Sequence, residues 1–195
     1  VKFICGYGDG GVNDFGWGRV YRCIQTLRRH YGLPFLSVGT MHRLCFNKAL
    51  DTKDGAAAVT RWIEPTDIVT HELMPAGSGR CLLYVPAPVA VGHFLKRYPP
   101  RSKMCDFARI IVSPVELWDW CARHLSEQGP LLIDNKTMAY VLYAIDPFHV
   151  TMGDPHVSNP KQRHGRKMTR RDFLQTAWMI YSVESLQSVE VEEGE

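Results

Sequence analysis

The sequence predicts a single α+β domain, and three observations carry that expectation. Amphipathic helical stretches are mixed with short β-branched or aromatic runs, without the regular strand–helix–strand rhythm of a doubly wound sheet. The chain is 195 residues long, 45% hydrophobic and 22% charged, which suits one core of its own and argues against wholesale disorder. No internal repeat or low-complexity linker divides it. Residues 1–183 therefore read as one domain and 184–195 as an acidic tail.

The elements can be justified in order. Gly6, Gly8, Gly10, Gly11, Gly16 and Gly18 make a glycine-dense opening. Val20, Ile24, Leu27 and Tyr31 then fall on one face of a helix that starts near residue 18 and ends at Gly32 and Pro34. Asp54 to Arg61 and on to His71 reads as helical, with Pro65 at a boundary or in a first turn. Cys81–Val85, Val89–Val91 and Ala108–Val112 read as short strands. Pro114–His124 reads as a helix with its proline near the start. Trp118 and Trp120 lie on different faces of it, at least one in the core. Gly129-Pro130 breaks the chain, and Leu131–Ile133 and Met138–Ile145 read as paired strands. Arg170–Ser182 closes the domain as another helix or strand.

The formal net charge is +3, too near neutral for a chain that coats nucleic acid by charge alone. That figure conceals a basic stretch at 161–171, with six Lys/Arg and no acid, read as a loop around Gly165. It also conceals five glutamates at 184–195. The basic loop leaves a nucleic-acid-binding module as one reading. No RNA- or DNA-binding pattern accompanies it, so nucleic acid is not the expected partner. No apolar run is long enough to span a membrane. The start, Val1-Lys2-Phe3-Ile4, has no signal-peptide pattern and reads as a processed end or a domain excerpt. The six cysteines include no C-x-x-C pair and read as reduced, mostly buried thiols of an intracellular protein. His149, Asp154 and His156 match no zinc spacing, so neither metal nor cofactor is expected.

The window with most chemistry is Asn13–Arg22, where a glycine-rich loop delivers the chain to a helix N-terminus. Such an end presents partial positive charge and free amides, which in cysteine proteases lower a thiol pKa and help hold an oxyanion. A phosphate loop is a weak alternative, since no G-x-x-x-x-G-K-[ST] occurs and no Lys lies between 3 and 47.

Asp14-x-Gly16-Trp17-Gly18-x-x-Tyr21-Arg22, followed by Gln25-Thr26-Leu27, resembles the nucleophile segment of the ubiquitin-fold-modifier-specific proteases (UfSP), D-x-G-W-G-C-[AG]-Y-R-x-x-Q-T-L. Tyr7 stands where the family has the tyrosine that helps hold the oxyanion. Arg61-Trp62-Ile63 resembles the family's E-W-I. Pro130–Ile145 resembles P-V-M-I-G-G-G-x-x-A-H-T-I-L-G-V, with Tyr140 in the place of His. Asp154-Pro155-His156 resembles the D-P-H that supplies the catalytic Asp and His, and Asp172-Phe173 and Tyr181 resemble the closing segment. The resemblance implies a papain-like fold, with a central antiparallel sheet and the nucleophile-position helix packed on it. It implies Tyr7, Asp154 and His156 as catalytic positions, Trp17 and Tyr140 as binding residues, and a ubiquitin-fold modifier or modified protein as partner. It also implies a cytoplasmic setting, at the endoplasmic reticulum surface through a partner, and a further domain before Val1.

The nucleophile's place is taken by Arg19. A guanidinium is a permanent cation with donors only, so it cannot attack a carbonyl. The helix dipole disfavours it there, and it is expected to turn toward Asp154 or Asp14, in the first case leaving His156 without its partner. The expectation is an inactive pseudoprotease that binds the modifier or a partner protein. The alternative is an active thiol hydrolase using a displaced residue. Cys23, one helical turn on and about 5 Å away, is the candidate, though a buried structural role suits it better.

Overall fold

The structure, a computed structural model, describes residues 1–50, 62–86, 91–97, 107–184 and 186. In chain order the elements are α1 (Arg19–His30), α2 (Val38–Phe46), α3 (Pro65–Thr70), β1 (Gly79–Tyr84), α4 (Val91–Arg97), β2 (Arg109–Ile111), α5 (Pro114–Glu127), β3 (Leu131–Asp134), β4 (Ala139–Ile145), β5 (His149–Gly153), β6 (Arg166–Thr169), α6 (Arg170–Gln175) and β7 (Trp178–Val183). The strands form one sheet in the order β2-β1-β7-β3-β4-β5-β6. It is antiparallel except for β1 against β2. The expected α+β architecture is present.

The pleat separates two apolar layers by its period of two. Leu132, Ala139, Val141, Tyr181 and Val183 face α1, with Val20, Cys23, Ile24 and Leu27 against them. Leu131, Ile133, Tyr140, Leu142, Trp178 and Ile180 face α5 and α6, meeting Leu117, Trp118, Cys121 and Phe173. Trp118 is thus the core tryptophan of α5. Residues 19–28 of α1 are buried all round, because sheet, α2 and the N-terminal segment enclose it. That places its first turn inside the molecule.

Several elements differ from the sequence expectation. Val91 opens α4 rather than closing a strand. Val91, Phe94 and Leu95 recur at helical spacing and pack on Leu83, Val85 and Met179. Arg170–Ser182 divides into α6, capped by the Thr169 hydroxyl accepting from the Asp172 amide at 3.1 Å, and the fully buried β7. The 161–171 stretch is not all loop, since Arg166–Thr169 pairs with β5 as an edge strand. Residues 54–61, 89–90 and most of the acidic tail lie outside the described residues. No disulfide joins any two described cysteines, and Cys105 is outside them. No described helix is long and apolar enough to cross a membrane.

Candidate functional site

Asp14 organises the loop that leads into α1. Its Oδ1 accepts from the Gly8 amide at 2.9 Å, and its Oδ2 from Arg22 Nε at 2.6 Å. Its carbonyl takes the Gly18 amide at 2.8 Å. A Cβ on Gly18 would stand 2.0 Å from Asp14 Oδ2, so only glycine fits the entry to α1. Arg22 also donates to Gln25 Oε1 and the Asp9 carbonyl, and the Thr26 hydroxyl accepts from the Cys5 amide. The motif residues Asp14, Gly18, Arg22, Gln25 and Thr26 therefore brace the loop onto the helix.

The second half of the site leaves the end of β5. Asp154 Oδ1 accepts from His156 Nδ1 at 2.6 Å, and Oδ2 from Arg166 Nη1 at 2.9 Å. An ionised carboxylate only accepts, so Nδ1 is the donor of this pair and Nε2 is the ring nitrogen left over. That Nε2 is buried and has no hydrogen-bond partner. Burial by itself would raise the Asp154 pKa. Hydrogen bonds from His156 and the nearby charges of His156 and Arg166 outweigh it and hold the carboxyl below its usual range. Tyr7 and Tyr140 both set their rings edge-on to the imidazole, at 5.5 Å between centroids. The Tyr7 amide donates to the Pro155 carbonyl at 2.9 Å, tying the N-terminal loop to this turn. Burial pushes the Tyr7 hydroxyl up to about 12, against the pull of the Arg19 charge.

Arg163 holds the two halves together. It is buried, and its guanidinium meets both carboxylate oxygens of Asp9 at 2.8 and 2.9 Å. It also donates to the carbonyls of Ile4, Val157 and Ser158. A Cβ on Gly6 would come 2.3 Å from Arg163 Nε, which accounts for the glycine.

Arg19 is the first residue of α1 and only 4% exposed. It does not turn to Asp14 or Asp154, whose oxygens are taken by Arg22, the Gly8 amide, His156 and Arg166. Instead it reaches the β3–β4 turn. Nη2 donates to the Lys136 carbonyl at 3.0 Å, and Nε faces Asp134 Oδ2 at 3.8 Å. Its Cζ lies 5.1 Å from the centroid of the Trp62 ring. His156 accordingly keeps its carboxylate partner, contrary to the expectation that Arg19 would draw Asp154 away.

Tyr7, Tyr140 and the Asp154–His156 pair thus come together from three separate stretches of sequence, and Arg19 points elsewhere. Trp17 and Tyr140, expected as binding residues, are both buried, and Trp17 packs edge-on against Tyr21. Sequence reasoning did not single out Asp134, Lys136, Glu64, Arg163 or Arg166. For Asp134 and Lys136 a signal existed, since they fall where the family pattern has its three glycines. Arg163 and Arg166 were hidden in a basic run. Among the described residues no cluster of His, Cys, Asp and Glu is arranged to hold a metal ion.

A central sheet carrying a buried helix on one face, with an Asp–His couple at the end of a neighbouring strand, is the layout of a papain-like protease fold. The fold matches that of a solved structure, UfSP from C. elegans, with a TM-score of 0.56 and 17% identity. The match covers 95% of this chain and 33% of that one, so this chain spans about a third of the length of the protein it resembles. No family model and no curated protein matches the sequence.

Proposed function

We propose that this chain is a UfSP-like pseudoprotease, which has lost hydrolysis and binds a ubiquitin-fold modifier or a partner protein. The observation that carries the reading is Arg19, buried at the first position of α1, where the UfSP motif has its thiol. The candidate thiol on α1, Cys23, is not suited to take over. Cys23 is wholly buried, and desolvation, followed by the charges of Asp134 and Asp154, pushes its thiol far up. The braces around Asp14 and the Asp154–His156 couple keep the scaffold in shape without a nucleophile. The test is incubation with a modifier–fluorophore fusion alongside a binding titration with free modifier. Saturable binding without cleavage is expected, whereas turnover would refute the loss of hydrolysis.

A second reading, an active thiol hydrolase, draws on the intact Asp154–His156 couple. Labelling with a modifier-derived electrophile and peptide mapping decides it, and an unlabelled protein ends it. The nucleic-acid reading is weakened by where the basic run goes. Arg163 is buried against Asp9, Arg166 pairs with Asp154, and Arg170 lies over Trp118 with Cζ 4.7 Å from the ring centroid.

A further inference from the structure

Arg19 belongs to a chain of four charges that joins three elements. Asp134, at the end of β3, faces Arg19 Nε and takes the Lys136 amide at 2.5 Å. The Lys136 ammonium pairs with the Glu64 carboxylate. Glu64 in turn caps α3 in a reciprocal box with Asp67, its own amide donating to Asp67 Oδ2 at 2.8 Å. The Trp62 ring lies beside both cations, its centroid 5.1 Å from Arg19 Cζ and 5.6 Å from Lys136 Nζ. The four groups sum to zero charge, and the side chains of Arg19, Asp134 and Glu64 are all 5% exposed or less.

Two details show that the parts are fitted to one another. Lys136 has φ 75°, a left-handed conformation that suits glycine and costs a lysine energy. It holds that conformation while its carbonyl serves Arg19 and its ammonium serves Glu64. Asp134 is fully buried and carries an acceptor oxygen with no hydrogen bond, so Arg19 supplies the facing charge for that oxygen. A buried carboxylate that loses its counter-charge is far costlier than the pair is valuable.

We propose that Arg19 and Asp134 act as one lock: the guanidinium binds the β3–β4 turn and α3 to the start of α1, and a working thiol cannot be restored at position 19 unless Asp134 is changed with it. The second half of this rests on the reading of position 19 as a nucleophile position. The first half does not. In the lock, Asp134 is a positioning residue that acts through whatever stands at 19. With Cys there, the uncompensated carboxylate would oppose formation of the thiolate beside it.

The test is a double-mutant cycle on the full chain, using Arg19→Cys, Asp134→Asn and the double variant, read by denaturant unfolding and by the pH profile of thiol alkylation. Arg19→Cys is expected to lower the folded-to-unfolded ratio by roughly 100-fold or more. Adding Asp134→Asn should recover at least about tenfold of it and move the alkylation profile of Cys at 19 to lower pH by about one unit. Losses that simply multiply in the double variant, or an alkylation profile unmoved by Asp134→Asn, would overturn the proposal. If Arg19→Cys fails to fold, rescue by Asp134→Asn supports the lock and a double variant that also fails to fold contradicts it. The stability readout needs no modifier, so it stands even if the unaltered chain proves to cleave one.

Discussion

Arg19 Nε stands 3.8 Å from Asp134 Oδ2, and neither atom has a hydrogen bond. The relationship is electrostatic compensation at a distance, inside the protein, where screening by water and salt is weak. It is too loose to offset the cost of burial fully. Asp134 is raised to about 6, first by desolvation, with the Arg19 charge and the Lys136 amide pulling the other way.

That shift sets a pH dependence. The folded state holds the Asp134 proton more tightly than the unfolded chain, whose carboxyl has the ordinary value of 3.8. Between about pH 4 and 6 the folded state therefore binds more protons, and this group's contribution to stability falls as pH rises through that window. Asp9 and Asp154 are held low, so their contribution is present above the ordinary value and is lost as the pH drops below it. Denaturant unfolding at pH 4.5 and pH 7 should show Asp134→Asn removing a decline of about 2 kcal/mol. An unchanged decline in that variant would detach it from Asp134.

Arg163 is expected to matter more for stability than any other residue of the basic run. Arg163→Met leaves Asp9 without its bidentate partner and several loop carbonyls without donors. Arg163 is buried but the Asp9 side chain is 37% exposed, so solvent screens part of the loss and the cost is roughly 1–3 kcal/mol. Gly6→Ala should destabilise in the same direction, because its Cβ would meet Arg163 at 2.3 Å. Thermal unfolding of both variants checks this. A change of under about 0.5 kcal/mol for Arg163→Met, the range of ordinary surface substitutions, would show that the clamp is dispensable.

Alkylating reagents should leave Cys23 unmodified in the native protein. Its thiol is raised first by complete burial and then by Asp134 and Asp154, and Cys121 is likewise raised by burial alone. Peptide mapping after exposure at pH 7.5, with a denatured control, gives the readout. Rapid labelling of native Cys23 would revive the thiol-hydrolase reading.

Much of this was legible in the chain and some was not, for physical reasons. The α1 stripe of Val20, Ile24, Leu27 and Tyr31 announced its helix because one apolar face is a periodic signal. The β7 run Trp178–Val183 is buried on both faces, and such a run has no period to read, so it merged with α6. Tyr7, Asp154 and His156 lie together because the braces at Asp14 and Arg163 fix the loops that carry them, contacts that no local sequence pattern records. The partner of Arg19 is not legible in the chain, since a sequence does not show which carboxylates are already taken. Asp14 and Asp154 are both occupied, and the carboxylate that Arg19 faces sits at the end of β3, where the only signal is the replacement of glycines. Nor does counting six cations between 161 and 171 reveal that one of them, Arg163, is a core residue.

The central claim is that a guanidinium has replaced a nucleophile in a protease scaffold. The most direct measurement is hydrolysis of a ubiquitin-fold modifier–fluorophore fusion by the unaltered chain under single-turnover conditions. The account predicts a rate indistinguishable from that of buffer over hours, with the fusion still bound. Release of the fluorophore at about 1 per second or faster, within the ordinary range of enzyme turnover, would contradict it.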